Sequence, residues 1–417
     1  MTKEKSTVPR LRFPGFTDAW KQRKLGEVAI SFDYGLNSAA TEYDGENKYL
    51  RITDIDDDSR EFNISNLTSP EINLFGLDEY RLSIGDILFA RTGASVGKSY
   101  IYRSVDGKVY FAGFLIRVKI KDTFNPDFVF QNTLTSNYER FISITSMRSG
   151  QPGVNAQEYS NYEIMFPTLS EQEAIGSFFS DLDQLITLHQ RKLDDVKELK
   201  KALLQKMFPK GNGNDFPELR FPEFTDAWKQ RKFSDLAEVR RGLTYSPSAI
   251  RSHGVRVLRS SNINEDTFVF GEDDVFVDKS VVKIPLVEEG DILITSANGS
   301  SRLVGKHSII KGLPSNSAIH GGFMLLASSK VPCFLNAFMS STWYHKFIGL
   351  YVAGGNGAIG NLNKSDLDEQ IVLVPTLPEQ EAIGSFFSDL DQLITLHQRQ
   401  LDYLKLLKKA LLQQMFI

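Results

Sequence analysis

Apolar side chains recur every three or four positions through two long segments, one in the middle of the chain and one at its end. This spacing is typical of helices that pair along a heptad seam. Thr168 with Glu171, and Thr376 with Glu379, form capping-box patterns that begin the two helices. At 1.5 Å per residue, a helix of about 36 residues is roughly 54 Å long. The seam positions are Leu182, Ile186, His189, Leu193, Val196 and Leu203 in the first helix, and Leu390, Ile394, His397, Leu401, Leu404 and Leu411 in the second.

Each helix has an apolar stripe that it cannot bury alone, and the matching stripe in this chain belongs to the other helix. We therefore expect the two helices to pair. Histidine and lysine within the seam lower stability but fix register and orientation. We interpret His189 and His397 as packed seam residues rather than as ligands or catalytic groups.

The two helical segments are copies of one sequence. Residues 167–208 return as residues 375–416 with six of forty-two positions changed, and residues 11–24 return as residues 219–232 with one change. Both copies follow after 208 residues. Between the copies lie two inserts of equal length with little identity to each other. The chain is therefore an internal repeat in which two nearly identical frames hold two different inserts.

This repeat predicts six segments. They are a leader at 1–24, a first insert at 25–166, a long helix at 167–208, a linker with a second leader at 209–232, a second insert at 233–374, and a C-terminal long helix at 375–417.

The inserts have mixed patterns and predict an α+β fold. The residues 50–55 and 258–263 match each other at the same offset, so we expect one fold with two different surfaces. The predicted elements are a turn and buried strand at 84–90 and 289–295, further strands at 109–120 and 323–326, and aromatic-rich helical regions at 126–145 and 332–350.

Composition sets the broad class. A chain of 417 residues with 41% hydrophobic and 24% charged residues is ordinary for a globular protein with several domains. No apolar run reaches the length of a membrane span, and the charged N-terminus predicts no secretory signal. The single cysteine, Cys333, fits a reducing compartment, so we expect a cytoplasmic protein.

Local charge changes this picture. The formal net charge is −4, but residues 229–259 contain eight basic residues against two acids. Residues 91–121 contain seven basic residues against one acid, Asp106. A basic strip on each insert is what neutralisation of phosphates requires.

Glycine-rich motifs for nucleotides are present only in part. Three residues separate Gly93 from Gly97, where a phosphate-binding loop needs four. The glycines at 355–360 follow a helical pattern rather than the strand that a dinucleotide site requires. The histidines and the cysteine show no metal-ligand spacing, and no nucleophile lies at an informative distance from a base. We therefore expect no catalytic residue, no metal and no cofactor in this chain.

Polar, basic, glycine-rich loops recur at matching places in both inserts and are the candidate DNA-binding sites. Arginine, asparagine, glutamine and threonine bind base edges, whereas lysine and backbone amides bind phosphates. The candidates are Arg91, Thr92, Ser95, Lys98, Arg148 and Gln151 in the first insert, and Arg240, Arg241, Thr244, Asn298, Arg302, Lys306 and Asn356 in the second.

These features together resemble the specificity subunits of type I restriction–modification systems. The resemblance covers essentially the whole chain. Its motifs are the Leu-Arg-Phe-Pro-x-Phe leaders at Leu11 and Leu219, the Gly-Asp-Ile-Leu strands at Gly85 and Gly290, and the Pro-Thr-Leu-x-Glu-Gln-Glu-Ala-Ile-Gly helix starts at 167 and 375.

The resemblance implies two target recognition domains separated by an antiparallel coiled coil with pseudo-twofold symmetry. Each domain is then expected to bind one half of a bipartite double-stranded DNA target, with the coiled coil setting the spacer. The implied partners are two modification (methyltransferase) subunits that bind S-adenosylmethionine and two restriction (motor and nuclease) subunits that bind ATP. The alternatives from the residues are a non-enzymatic adaptor that binds proteins or glycans, and a standalone nucleic-acid enzyme.

Overall fold

A computed structural model of the chain describes residues 8–147, 150–210, 216–351 and 361–417. The chain divides into two compact units. Unit 1 holds the chain up to Arg191 together with Gln398–Ile417, and unit 2 holds Lys192–His397. Each long helix therefore begins in the unit of its own insert and ends in the other unit.

The elements of unit 1 follow the chain in this order: β1 Lys21–Lys24, α1 Leu25–Val28, β2 Ala29–Tyr34, β3 Ala40–Glu42, β4 Lys48–Leu50, β5 Thr68–Pro70, β6 Ile87–Ala90, β7 Ser99–Ile101, β8 Val109–Phe111, β9 Leu115–Ile120, α2 Pro126–Asn132, α3 Ser136–Thr145, α4 Ala156–Ser160, β10 Glu163–Phe166 and α5 Leu169–Lys206.

An antiparallel sheet in the order β2-β9-β6-β7 forms the centre of unit 1. All four side chains of β6 are buried because both faces of the sheet are covered. Leu88 packs on one face with the aliphatic and tyrosine cluster around Tyr100. Phe89 points to the other face, where its ring lies 4.8 Å from that of Tyr159 in α4. This confirms the predicted turn and buried strand at 84–90.

The elements of unit 2 are β11 Lys229–Lys232, β12 Glu238–Arg241, β13 Ile250–Arg251, β14 Val255–Leu258, β15 Ile263–Asn264, β16 Thr267–Phe268, β17 Val275–Val277, β18 Ile292–Thr295, β19 His307–Ile309, β20 Ala318–His320, β21 Met324–Ser328, α6 Pro332–Met339, α7 Thr342–Tyr351, α8 Lys364–Asp368, β22 Ile371–Val374 and α9 Leu377–Met415.

Unit 2 repeats the topology of unit 1. Its central sheet has the order β12-β21-β18-β19, and β14 pairs with β20 in parallel as β4 pairs with β8. Strands β13 and β17 extend the second sheet, and β15 pairs with β16. The prediction of one fold in both inserts is therefore confirmed. The predicted strand at 109–120 is two strands, β8 and β9, separated by a turn at residues 112–114.

The two long helices are confirmed, with 38 residues in α5 and 39 in α9. In unit 1 the helices run antiparallel, because Phe179 packs 5.7 Å from Phe416 and Asp183 pairs with Lys408 at 2.5 Å. In unit 2, the ring of Phe387 lies 5.9 Å from that of Phe208, and a 2.6 Å ion pair joins Lys200 and Asp391. All the predicted seam residues are buried or half-buried, His189 and His397 among them.

The leader of each unit holds the start of one long helix and the end of the other. In unit 1, both oxygens of the buried Glu171 accept hydrogen bonds from Arg12, at 2.6 and 2.7 Å. The amide of Leu11 donates to the carbonyl of Gln414 at 2.9 Å, and Trp20 packs against Phe416.

The second leader makes the same contacts in unit 2. Arg220 bonds both oxygens of Glu379 at 2.7 Å, and the amide of Leu219 donates to the carbonyl of Lys206 at 2.9 Å. Trp228 packs against Phe208, as Trp20 packs against Phe416. Each leader also adds a strand to its unit, since β1 pairs with β10 and β11 with β22.

Candidate nucleic-acid interface

The loop after β6 in unit 1 is fixed to two neighbouring segments by backbone hydrogen bonds. The amide of Arg91 donates to the carbonyl of Phe114 at 3.0 Å, and the amide of Val154 donates to the carbonyl of Arg91 at 2.9 Å. Thr92 forms an antiparallel bridge with Gly153. The loop conformation is therefore set by the main chain, which leaves its side chains available for other contacts.

The loop after β18 in unit 2 is held in the same way. The amide of Ser296 donates to the carbonyl of Phe323 at 2.9 Å, and the amide of Leu362 donates to the carbonyl of Ser296 at 2.7 Å. Ala297 forms an antiparallel bridge with Asn361. The two inserts thus share a backbone arrangement although their loop sequences differ.

A fourth segment, residues 34–37 in unit 1 and 241–244 in unit 2, approaches this loop arrangement closely through a glycine. A Cβ atom on Gly35 would lie 2.2 Å from the carbonyl oxygen of Ala112, and one on Gly242 would lie 1.9 Å from that of Gly321. Any larger residue would separate the segments, because real Cβ atoms do not approach a carbonyl so closely.

We call the joined segments the rim of each unit. The rim comprises residues 34–37, 91–95, 112–114 and 150–154 in unit 1, and residues 241–244, 296–302, 321–323 and 361–362 in unit 2.

Four of the residues predicted in the first insert lie in the rim of unit 1. They are Arg91, Thr92, Ser95 and Gln151, of which Gln151 is exposed. The guanidinium carbon of Arg91 lies 4.9 Å from the ring centre of Tyr34, a stacking contact that orients the arginine.

Lys98 lies beyond the rim and has partners inside the protein. Its Nζ is 2.5 Å from a carboxylate oxygen of Asp57 and 3.4 Å from the carbonyl of Ile55. The charge of Lys98 is therefore already paired, which makes it a weaker phosphate ligand than the sequence indicates. Arg148 lies outside the described residues.

Four of the residues predicted in the second insert lie in the rim of unit 2. Arg241, Thr244 and Arg302 are exposed, and Asn298 is half-buried. The side-chain Nδ2 of Asn298 donates to the hydroxyl of Ser260 at 3.1 Å, and its Oδ1 accepts from the backbone amide of Ser300 at 3.0 Å, so this side chain also stabilises the loop. Lys306 follows the rim loop and is half-buried. Asn356 lies outside the described residues.

Arg240 makes its hydrogen bonds inside unit 2 rather than at the rim. Its guanidinium bonds the buried carboxylate of Asp291 at 3.2 Å and the hydroxyl of Ser328 at 2.9 Å. Asp291 belongs to the second Gly-Asp-Ile-Leu motif, and the aspartate of the first motif, Asp86, is also buried. Burial raises the pKa of Asp86, and Arg117 of β9 lies 3.8 Å away. Each buried aspartate thus has an arginine beside it, supplied by different strands in the two units.

A histidine lies behind the rim of unit 2. His320 is buried with Nε2 3.3 Å from the carbonyl oxygen of Arg240, and burial lowers its pKa to about 4. The side chain is therefore neutral at neutral pH. The equivalent position in unit 1 is Phe111, because Leu50 pairs with Phe111 as Leu258 pairs with His320.

Two exposed phenylalanines of the rim were not predicted from the sequence. Phe114 is 58% exposed and Phe323 is 74% exposed, at equivalent places in the two units. A signal was present in the sequence, since each phenylalanine follows a small residue and a glycine directly before a buried strand.

Within the described part of the chain, the histidines, cysteine and carboxylates form no group that could hold a metal ion. No helix there has the length and apolarity needed to cross a membrane.

The sequence matches one family model twice, over residues 17–198 and 225–406. The family is described as the type I restriction modification DNA specificity domain. This chain belongs to that family. Each match contains one insert and most of the long helix that follows it.

Similar proteins are described as specificity subunits of type I restriction enzymes. The specificity subunit of the type I restriction enzyme MjaVIII of Methanocaldococcus jannaschii is 21% identical over 78% of this chain and 77% of its own length. The EcoKI specificity subunit of Escherichia coli is 24% identical over 73% of this chain and 68% of its own. The crystal structure of a type I S subunit from M. genitalium has a TM-score of 0.68, with 14% identity over 98% and 99% of the two chains, which supports the fold.

Proposed function

We propose that this chain is the sequence-specific DNA-binding specificity subunit of a type I restriction–modification complex. Each unit binds one half of a bipartite duplex target, and the paired helices set the spacer between the halves. The observation that carries the proposal is the duplicated family match with two rims of one backbone design and different side chains. Binding two half-sites of different sequence requires the same backbone arrangement in both units but different side chains at the rim.

The rim residues divide by chemistry. The arginines supply cations for phosphates or bidentate contacts to guanine; they are Arg91 in unit 1 and Arg241 in unit 2. The threonines supply hydroxyls for base edges; they are Thr92 in unit 1 and Thr244 in unit 2. Gln151, exposed beside Gly93, is suited to an adenine edge. We extend the proposal to these residues as the base and phosphate contacts of the two half-sites.

We also propose a division of labour among subunits. This chain provides recognition, two modification subunits bind S-adenosylmethionine and methylate, and two restriction subunits bind ATP and cleave, in the cytoplasm. The family's description as a specificity domain supports this division. The loop at 93–99 supports it as well, because its glycine spacing does not match a nucleotide-binding loop.

The test is co-expression of the chain with a modification subunit, followed by mapping of methylated bases in the host DNA. We expect one bipartite motif with a spacer of fixed length. Binding of the purified complex to that motif is expected to weaken as salt rises, because phosphate contacts release counterions. An adaptor would form no methylating complex and would show no salt-dependent DNA binding, and either result contradicts the proposal.

A further inference from the structure

We propose that Phe114 and Phe323 are base-contacting residues, each making apolar contact with the base edges of the half-site that its own unit binds. This inference rests on the proposed function and adds a residue type to it. Polar and basic loop residues were expected at the interface, whereas these two rings supply apolar contacts.

The backbone at both phenylalanines is fixed while the rings remain exposed. The carbonyl of Phe114 accepts from Arg91, and the turn before it is closed by a 2.9 Å bond from the amide of Leu115 to Ala112. The carbonyl of Phe323 accepts from both Ser296 and Ala297, at 2.9 and 3.2 Å. These hydrogen bonds involve only the main chain, so an exposed phenyl ring is not needed to make them.

The position is kept although its surroundings differ. Phe114 follows Ala112 and Gly113, and Phe323 follows Gly321 and Gly322. Both turns connect the parallel strand of one sheet to an inner strand of the central sheet, β8 to β9 and β20 to β21. Two inserts with little sequence identity thus place the same aromatic residue, 58% and 74% exposed, at the same point of the rim.

The neighbouring groups identify DNA as the occupant. The amide that donates to the carbonyl of Phe114 is that of Arg91, and Thr92 is the next residue. Thr244 lies against the turn of Phe323, with its Oγ1 2.6 Å from the position that a Cβ on Gly322 would have. Cations and hydroxyls around an apolar ring match a duplex groove, which presents phosphates, polar base edges and the apolar methyl group of thymine. A purely apolar partner would leave these charges without counterparts.

The experiment uses the complex of this chain with its modification subunit and a duplex that carries the mapped target. Phe114→Ala and Phe323→Ala are compared with the wild type for Kd on the target and on an unrelated duplex. We expect Kd for the target to rise roughly tenfold, as for loss of one base contact, with little change on unrelated DNA and an unchanged salt slope. The matched control is Ile84→Ala, because Ile84 is 73% exposed in unit 1 but precedes β6, whereas the rim follows it.

Discrimination between bases separates a contact from a structural role. At one or two positions in the half-site of unit 1, a base substitution should weaken DNA binding by the Phe114→Ala complex less than it weakens binding by the wild type. Substitutions in the other half-site should weaken binding by both complexes equally. Phe323→Ala should show the reverse. The inference is overturned by an unchanged Kd, by equal weakening on unrelated DNA, by an equal loss in Ile84→Ala, or by lost discrimination in the wrong half-site. A wild-type complex that binds no bipartite target contradicts the proposed function itself.

Discussion

His320 lies buried behind the rim of unit 2 and makes its hydrogen bond to the main chain at Arg240. Burial lowers the pKa of His320 to about 4 and also lowers the pKa of His307 in the same unit. In unit 1 the position of His320 is occupied by Phe111, over whose ring Arg117 stacks at 4.9 Å. One structural position therefore responds to pH in unit 2 and not in unit 1.

We predict that acid destabilises unit 2 more than unit 1. An unfolded histidine has a pKa of about 6.5, so between that pH and about 4 the unfolded chain binds a proton that folded His320 does not. The free energy of unfolding therefore falls as pH falls, by about 2 kcal/mol at pH 5 from His320 alone. Hydrogen exchange at pH 7 and pH 5 measures this, unit by unit. The variant His320→Phe, which places the residue of unit 1 at this position, should reduce the fall in the free energy of unfolding between pH 7 and pH 5. Equal acid sensitivity in both units would contradict the prediction.

The rim shows which residue positions and contacts can be predicted from sequence. Recurring glycine-rich basic loops pointed to Arg91, Thr92 and Arg241, because local composition carries that signal. The partners of Lys98 and Arg240 lie 41 and 51 positions away, at Asp57 and Asp291, so no local pattern reveals their ion pairs. Phe114 and Phe323 were missed because both lie inside segments predicted as strands, 109–120 and 323–326, where an aromatic residue is expected to be buried.

At the scale of elements, helix α5 begins and ends within two residues of its prediction because its heptads, capping pattern and flanking breakers agree. Strands were located less well. The predicted strand at 109–120 contains a turn at 112–114, since continuous apolar residues do not show where a chain reverses. Sequence also predicts pairing of α5 with α9 without predicting that each helix is shared between the units, because the two copies are too similar to distinguish.

An ion pair between the two long helices in unit 2 tests the helix pairing. Lys200 and Asp391 form a 2.6 Å ion pair whose side chains are 13% and 30% exposed. We predict that Lys200→Glu lowers the free energy of unfolding by about 1–2 kcal/mol, because it places two carboxylates together where water screens them only in part. Denaturant unfolding measures the change, and Lys201→Glu, on an exposed position of the same helix, is the matched control.

The charge swap completes this test. Adding Asp391→Lys to Lys200→Glu restores opposite charges and should recover most of the lost stability. If the double variant is as unstable as the single variant, the lysine contributes through packing of its aliphatic chain rather than through the ion pair.

At the scale of the whole molecule, the repeated leaders and long helices make the two units equivalent. Each leader bonds the last turns of the helix that began in the other unit, through Leu11 to Gln414 and Leu219 to Lys206. Each unit consequently contains its own insert, the first part of one long helix and the last part of the other. A change of length in one helix alone therefore disturbs the pairing in both units, whereas a matched change in both helices preserves it.

This equivalence gives a direct test of the proposed spacing function. Residues 189–195 of α5 and 396–402 of α9 are heptads that lie, along the chain, between the members of two ion pairs, Asp183–Lys408 in unit 1 and Lys200–Asp391 in unit 2. Deleting both heptads removes about 10.5 Å of helix, which corresponds to about three base pairs. Binding is measured on duplexes whose spacers differ by single base pairs. We predict that the spacer of the best-bound duplex becomes about three base pairs shorter, or that recognition is lost because shortening the spacer rotates one half-site around the duplex relative to the other. Deleting one heptad alone should abolish binding. Full binding with the original spacer after the double deletion would show that the helix pair does not set the distance.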